Sequence, residues 1–367
     1  MSIHTKAYAM KNMLMNEFAR KLVEEWFLSL TIIGVIVTSI YLWHLPEYTF
    51  NDLKIIYILF VFLIIIKGLE KGRFLELVAL KFEKGKFLVL KLVMLTGILS
   101  AFVTNDVALL TVVPFTLLLC TENLMFIIIL ETLTANAVSA LTPFGNPQNI
   151  FIYWHYNTTL LEFTKVIFPF TLVLFSFIIL LSFKTKKDYQ KNSMISVKLD
   201  KKSYYYLIFF SMFIFALLRI LPLWVGVIPI MYAVVFDRKS LSVDYTLLAM
   251  FFLFFGFTDN LTHILRFTIA NSNHIFLYSA ILSQIMSNVP STLFLADFIS
   301  NWKPLLWGAS VGGFGSLVGS LANLITYRLY KAKFKETKGF LIKFHLYSYT
   351  LFFIGITVYF IFSPLIF

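Results

Sequence analysis

Residues 141–150 read LTPFGNPQNI. Two prolines, a glycine and three side-chain amides stand here at the end of a long apolar run. Proline lacks the main-chain N–H and ends or kinks a helix, and main-chain groups freed inside a bilayer must find partners within the protein. The stretch therefore predicts a transmembrane helix that is broken at membrane depth, with polar side chains at the break.

The composition of the whole chain agrees with a membrane setting. Of the 367 residues, 59% are hydrophobic and only 14% are charged. A soluble protein of this length needs far more charge on its surface, so we predict an all-α polytopic membrane protein. No glycine-rich phosphate loop followed by Lys-Ser/Thr and no nucleophile with an evident base is found, which argues against an enzyme and against a bound cofactor.

Nine apolar stretches are long enough to be membrane spans. The stretch 204–236 is divided at Pro222, because a proline there interrupts one long run. The predicted spans are residues 27–43, 53–67, 124–152, 164–183, 204–219, 223–236, 241–257, 304–327 and 344–366.

Two further apolar stretches do not fit as single crossings. Residues 87–119 contain Thr-Asn-Asp at their middle, and residues 275–302 contain Ser-Asn-Val-Pro. Each half is too short to cross a bilayer comfortably, so we predict two re-entrant helical hairpins whose tips are buried in the protein or line a cavity.

The net charge of +12 comes from basic residues in short segments between apolar runs, which indicates membrane topology rather than a nucleic-acid partner. With the N-terminus inside, 26 of the 31 basic residues lie in segments on the cytoplasmic side. These segments also predict contact with anionic membrane lipid. We therefore predict an integral protein of a prokaryotic plasma (inner) membrane with a cytoplasmic N-terminus and a C-terminus outside.

The order of the predicted elements repeats. Span, span, hairpin, broken span and span describe residues 27–183, and the same order describes residues 223–367 from the opposite side of the membrane. This pattern predicts two inverted-topology repeats. Residues 1–26 would form a cytoplasmic N-terminal segment, and residues 184–222 a basic cytoplasmic loop with a linking span.

Short sequence matches support the repeat. VTND at 103–106 aligns with MSNV at 286–289, and TPFGNPQNI at 142–150 aligns with SLVGSLANL at 316–324. Each of the four polar clusters could merely cap a helix or form a kink. Four such breaks at corresponding positions instead predict a central site for a solute or an ion, where half-helix ends meet near the membrane midplane.

Two motifs carry a resemblance to a known family. They are NDVALLTVVP at 105–114, preceded by Thr104, and E-x4-N-x5-TPFGNPQN, which runs from Glu131 through Asn136 to Asn149. They resemble signature segments of the ion transporter superfamily, most closely the small anion permeases related to arsenite-antimonite efflux permeases. SNVPSTLFL at 287–295 and GSLVGSLANLI at 315–325 resemble the counterparts in the second half. The resemblance covers most of the chain from about residue 27.

The resemblance implies a homodimer of elevator-type subunits. Beyond a sodium ion that could bind near Asn105 and Asn288, we predict no metal site. Sodium-coupled dicarboxylate transporters are similar to one another in a Ser-Asn-Thr sequence at both tips, whereas Asp106 and Val289 stand at the third position here. An aspartate would repel a carboxylate substrate, and valine has no hydroxyl group. The resemblance implies a substrate and ion site formed by Thr104, Asn105, Asp106, Thr142, Gly145, Asn146, Asn149, Ser287, Asn288, Ser316, Gly319, Ser320 and Asn323.

Two acidic residues, Asp106 and Glu131, lie in segments predicted at membrane depth, where charge is costly and marks proton or ion paths. They are the candidates for proton coupling. The first hypothesis is a secondary transporter of a small inorganic or organic anion or its neutral acid, driven by a proton or sodium gradient. Arsenite or a similar oxyacid is the leading substrate, and an arsenite exporter would add an energising ATPase subunit as a partner.

Three alternatives stay open at this point. A sodium–proton antiporter would use Asp106 and the asparagines to bind the ion itself. A sodium-coupled dicarboxylate or citrate symporter is the next alternative. A channel or a structural membrane protein belongs to another class and is disfavoured by the inverted repeat.

Overall fold

The computed structural model describes residues 26–82, 87–118, 123–183, 199–265, 271–334 and 336–366. The secondary structure of these residues is helical. The helices of the first half are α1 (Trp26–Leu42), α2 (Phe50–Lys71), α3 (Phe74–Phe82), α4 (Leu88–Val103), α5 (Asn105–Leu118), α6 (Leu124–Ser139), α7 (Pro147–His155) and α8 (Leu160–Ser182).

The rest of the described chain adds eight helices and three short 3-10 turns. The turns lie at Leu223–Gly226, Arg238–Leu241 and Leu317–Gly319. The helices are α9 (Lys202–Leu217), α10 (Val227–Phe236), α11 (Tyr245–Leu265), α12 (Ser272–Met286), α13 (Asn288–Ala296), α14 (Trp302–Gly312), α15 (Leu321–Lys333) and α16 (Lys338–Ile366).

Three helical stretches of the described chain are long and apolar enough to cross a membrane, namely Leu160–Ser182, Arg238–Leu265 and Lys338–Pro364. The other predicted spans consist of shorter apolar helices, as in α1 and α9, or of helices with charged ends or a central break. The all-helical, apolar architecture agrees with the predicted polytopic membrane protein.

The proline signals in the sequence predict the interruptions correctly. The predicted span 124–152 is divided into α6 and α7, and α9 ends before Pro222. One helix was not predicted: α3 lies within a segment expected to be a charged loop. Its Leu75 is 2% exposed, and the helix packs against α2, α4 and α5. The amphipathic sequence FLELVALKF therefore forms a helix despite the charges that flank it.

Both predicted hairpins are present as pairs of helices that pack against each other. The first consists of α4 and α5 with Thr104 between them, and the second of α12 and α13 with Ser287 between them. Thr104 has φ 80° and ψ 149°, and Ser287 has φ 73° and ψ 157°. Residues other than glycine rarely adopt this backbone conformation, so both tips are strained in the same way.

The packing around the two hairpins follows one scheme. The first arm of each hairpin packs against the helix before a break, α4 on α6 and α12 on α14. The second arm contacts the helix that follows the break of the other half, α5 on α15 and α13 on α7. Both tips and both breaks are thereby brought to the middle of the molecule.

Candidate functional site

The first break lies between Ser139 and Pro147, and the hydrogen bonds of one side chain hold its backbone in place. Nδ2 of Asn149 donates to the main-chain oxygens of Ser139 at 3.1 Å and of Thr142 at 2.9 Å. Pro147 occupies the first turn of α7, where its missing N–H leaves no unpaired donor. The prolines and the asparagine thus form the break that LTPFGNPQNI predicts.

The second break lies between Gly312 and Leu321. The corresponding hydrogen bonds, made by different residues, hold its backbone in place. Nδ2 of Asn323 donates to the main-chain oxygens of Gly313 at 3.0 Å and of Ser316 at 3.2 Å. The residues before the helices have nearly equal backbone angles, φ −149° at Asn146 and φ −145° at Ser320. The two breaks therefore share one backbone construction although their sequences differ.

In each break, a glycine lies where the backbone comes closest to another backbone segment. A β-carbon on Gly145 would lie 2.0 Å from the main-chain oxygen of Ser139, and one on Gly319 would lie 2.6 Å from that of Gly312. Both neighbours are backbone atoms, which cannot rotate away. Residues with a side chain are therefore excluded at these two positions.

Two of the predicted site residues form hydrogen bonds between the breaks and the hairpins. Thr142 donates its hydroxyl hydrogen to the main-chain oxygen of Ala101 on α4. Ser316 makes the corresponding bond to the main-chain oxygen of Gln284 on α12, at 3.0 Å. Both hydroxyl groups act as donors within the protein, so their role here is to position the hairpins.

The centre of the site is Asn136, on α6. Its Nδ2 donates to Oδ1 of Asn323 at 2.7 Å and to the main-chain oxygen of Gly313 at 3.2 Å, and its Oδ1 accepts from Nδ2 of Asn105 at 3.1 Å. Nδ2 of Asn105 also points to the hydroxyl oxygen of Ser320 at 3.4 Å. One network of amides thus joins the first hairpin tip to α6 and to the second break.

The second hairpin tip reaches the same place. A methyl group on Gly313 would lie 3.3 Å from Nδ2 of Asn288 and 3.7 Å from Oδ1 of Asn136. We call Asn105, Asn136, Asn288, Ser320 and Asn323 the central amide cluster. Four of these residues were predicted from the sequence. Asn136 was not, although it lies in the motif E-x4-N-x5-TPFGNPQN, between Glu131 and Asn149.

The other predicted residues surround the cluster. Thr104 and Ser287 are the tip residues, and Gly145 and Gly319 give the breaks their close approach. Nδ2 of Asn146 donates to the hydroxyl oxygen of Ser139 at 2.8 Å. The Oδ1 atoms of Asn146 and Asn149 are buried, and no described residue donates a hydrogen bond to them. These two oxygens could accept from a bound solute or coordinate a cation such as sodium.

The two predicted acidic residues lie in different surroundings. Asp106 follows Asn105 at the first tip, and its buried Oδ1 has no hydrogen-bond partner among the residues that the structure describes. Glu131 is fully buried on α6, where its Oε1 accepts from the hydroxyl of Thr116 at 2.5 Å. Its Oε2 has no hydrogen-bond partner in the described part of the chain. A buried carboxyl oxygen without a partner is costly, which is expected where protons or ions pass.

Helix ends contribute to the electrostatic potential at the central amide cluster. Four helices begin at or beside the central amide cluster, and their N-termini carry the positive ends of the helix dipoles. Within the described ranges, the hydrogen bonds of the cluster involve no Lys, Arg or His side chain. Such an arrangement favours a small anion or a polar solute without needing a fixed cation.

Gln284 holds the second break from the side of the hairpin. Its Nε2 donates to the main-chain oxygens of Gly312 and Phe314, each at 3.0 Å, and its Oε1 accepts from the N–H of Ser316 at 2.7 Å. Ala101, whose carbonyl plays the matching part in the first half, has no such side chain. The second break is therefore the more firmly clamped of the two.

Replacing Gln284 by alanine should destabilise the protein by about 1–3 kcal/mol, because partly buried carbonyl groups lose their donor. Thermal unfolding of the detergent-solubilised protein measures this loss. Ser279→Ala on the same helix is the control. The buried hydroxyl oxygen of Ser279 has no hydrogen-bond partner within the described ranges, so its removal should cost little. Equal unfolding temperatures for Gln284→Ala and Ser279→Ala would contradict the clamping role.

Comparison with known proteins adds the following matches. Residues 18–312 match the family model of the citrate transporters. The chain is 34% identical over 305 residues to an uncharacterized transporter of Methanocaldococcus jannaschii, an alignment that covers 80% of the chain and 84% of the relative. It is 33% identical over 305 residues to the inner membrane protein YbiR of Escherichia coli, covering 78% and 81% of the two chains.

Proposed function

The chain belongs to the citrate transporter family and is a secondary transporter, and we propose that it carries a small oxygen-rich anion, a carboxylate or an oxyacid. The observation that carries this proposal is the convergence of two hairpin tips and two broken helices on the central amide cluster. Amide and hydroxyl groups together with four helix N-termini suit a solute rich in oxygen.

The family match changes the order of the substrates that the sequence suggested. The matched family is that of citrate transporters, and the matches support no special relation to arsenite permeases. Arsenite therefore becomes one candidate among the oxyacids, and citrate and related carboxylates stand beside it. An energising ATPase partner would follow only if arsenite were the substrate.

We further propose that transport uses an elevator movement of the hairpins and breaks. The equal hydrogen bonds in the two breaks support two inverted repeats, residues 27–183 and 223–367, joined by residues 184–222. Helices α1 and α11 pack together, as do α2, α9 and α10. These helices would be the scaffold of a homodimer, and α4 to α7 with α12 to α15 the moving part.

Coupling to a proton or sodium gradient is proposed through Asp106, Glu131 and the amide oxygens. The unpartnered oxygen of Asp106 lies next to Asn105, which belongs to the central amide cluster. A sodium ion takes only acceptor atoms, and Oδ1 of Asn146 and of Asn149 are acceptors without a donor. The same observation favours the second candidate function, sodium–proton antiport, in which the ion itself is the substrate.

Transport currents of proteoliposomes on a solid-supported membrane test the proposal with citrate, succinate, phosphate and arsenite. We expect one of these solutes to evoke a current that depends on an imposed sodium or proton gradient. Asp106→Asn should remove the dependence on the gradient while the protein still binds the solute, as measured by its thermal shift. The reason is that the amide cannot change its charge as the carboxyl group does.

Asp259→Asn is the control, because Asp259 lies on α11 away from the cluster and accepts from the N–H of Glu47 between α1 and α2. It should keep a gradient-dependent current. If a sodium gradient moves protons in the absence of every added anion, the protein is an antiporter and the anion proposal fails.

A further inference from the structure

A cavity is present whose lining includes none of the residues of the central amide cluster. It has a volume of about 610 Å³ and forms where the C-terminal ends of α2 and α10 meet the start of α9. The three chain segments that line it were all predicted on the cytoplasmic side from their basic residues. The lining residues are Gly68, Lys71, Gly72, Asp200, Lys202, Phe236, Asp237, Arg238 and Lys239.

One of the two acidic side chains that line the cavity, Asp237, already has its hydrogen-bond partners. Asp237 accepts from Nζ of Lys202 at 3.2 Å, from the hydroxyl of Tyr206 at 3.2 Å and from that of Ser240 at 2.6 Å. Burial raises the pKa of Asp237, but the hydrogen bonds from Ser240 and Lys202 outweigh burial and hold this pKa below its usual range. Lys202 and Asp237 therefore form a neutral pair that builds the wall.

The remaining basic groups are available to a ligand. The ammonium groups of Lys71 and Lys239 form no ion pair and no hydrogen bond with any residue that the structure describes, and both side chains are exposed. Arg238 makes one long bond, from Nε to the main-chain oxygen of Val234 at 3.4 Å. Asp200 is exposed and accepts from the N–H of Lys202 at 3.1 Å. Three cations against one free carboxylate give the cavity a positive charge.

The surroundings indicate the depth of the cavity in the membrane. Tyr205 and Tyr232, on α9 and α10, have ring centroids 5.4 Å apart, and Phe236 lies 5.4 Å from Tyr232. Aromatic residues of this kind mark the level of the lipid headgroups. Next along the two helices, Ile208 and Met231 are more than half exposed, and they offer an apolar surface beside the cavity.

We propose that this cavity binds the phosphate group of an anionic phospholipid. Lys71, Arg238 and Lys239 contact the phosphate, and the acyl chains lie on the apolar surface of α9 and α10. Basic pockets between helices on the cytoplasmic side suit such headgroups, because that leaflet is rich in anionic lipid. A soluble phosphate compound would use the cations and leave the adjoining apolar surface without a role. This inference does not depend on the transported substrate.

Native mass spectrometry of the purified full-length protein, titrated with phosphatidylglycerol or with phosphatidylcholine of the same acyl chains, tests the proposal. The anionic lipid should bind more tightly than the zwitterionic lipid. The double variant Lys71→Gln, Lys239→Gln should weaken phosphatidylglycerol binding about thirtyfold, since each lysine near an anionic surface contributes about a fivefold factor. The charge-retaining variant Lys71→Arg, Lys239→Arg should bind like the wild type.

The matched control is Lys338→Gln, Lys343→Gln, which removes two exposed charges from α16, outside the cavity, and should leave binding unchanged. Equal weakening by this control would show a general charge effect and overturn the site. Binding of phosphatidylcholine as tight as that of phosphatidylglycerol would also overturn it. If inorganic phosphate displaced phosphatidylglycerol at equal concentration, the cavity would be a site for a soluble phosphate instead of a lipid.

Discussion

Replacing Asn136 by alanine should reduce transport at least about a hundredfold while the protein still folds. The substitution removes the donor to Oδ1 of Asn323 and the acceptor of Nδ2 of Asn105. Oδ1 of Asn323 loses its donor, and Nδ2 of Asn105 keeps only the 3.4 Å contact with the hydroxyl of Ser320. Each loss costs about 1.4 kcal/mol or more, and every 1.4 kcal/mol corresponds to about a factor of ten. The cost falls where the first hairpin tip meets α6 and the second break, so the geometry of the proposed binding site is lost.

The proteoliposome current with the best solute measures this effect, and the matched control is Asn260→Ala. Asn260 is also fully buried, and its Nδ2 donates to the hydroxyls of Thr38 and Ser39, each at 2.9 Å, between α11 and α1. Asn260→Ala should lower the unfolding temperature to a similar extent and keep transport. A current of Asn136→Ala within threefold of the wild type would rule out the central amide cluster as the site.

The largest loss of stability is expected for Gly145→Ala, at about 3 kcal/mol or more. The added β-carbon would lie 2.0 Å from the main-chain oxygen of Ser139, so α6 and α7 would have to separate. Overpacking against movable side chains usually costs about 1–3 kcal/mol, and here the obstacle is backbone. The thermal unfolding temperature of the purified protein and its yield in the membrane fraction both measure the loss.

Gly339→Ala is the control for this substitution. A β-carbon at Gly339 would have one neighbour, Cε of Met125, at an ordinary 3.7 Å. The substitution lies in the first turn of α16, where alanine is the better helix former, so stability should be equal to that of the wild type or slightly higher. If Gly145→Ala were as stable as Gly339→Ala, the close approach in the first break would be wrong.

The sequence predicted the helices and their interruptions because both have local signals. Prolines and polar clusters inside apolar runs mark a break whatever the tertiary structure, and the breaks at Thr104, 140–146, Ser287 and 313–320 follow them. The helix α3 was missed because its charges resemble those of a loop, and its packing against three other helices decides its structure. The predicted transporter function was confirmed by the family, whereas the closer relation to arsenite permeases was not supported.

The site was predicted only in part, since its geometry depends on contacts between distant residues. Asn136 looks like one polar residue within an apolar helix until Asn323, far along the chain, is seen to bond to it. The sequence likewise could not show that Thr142 and Ser316 donate their hydroxyl hydrogens to the hairpins. The membrane orientation, the homodimer and the coupling ion stay predictions.

The strained tips have a consequence for the balance between stability and activity. Thr104 and Ser287 hold a backbone conformation that costs residues with a β-carbon about 1–3 kcal/mol, and glycine would adopt it without that cost. Both positions nevertheless carry a hydroxyl side chain. A protein selected only for stability would have glycine at both positions. At each tip this chain therefore gives up folding stability and keeps a hydroxyl side chain, once in each half.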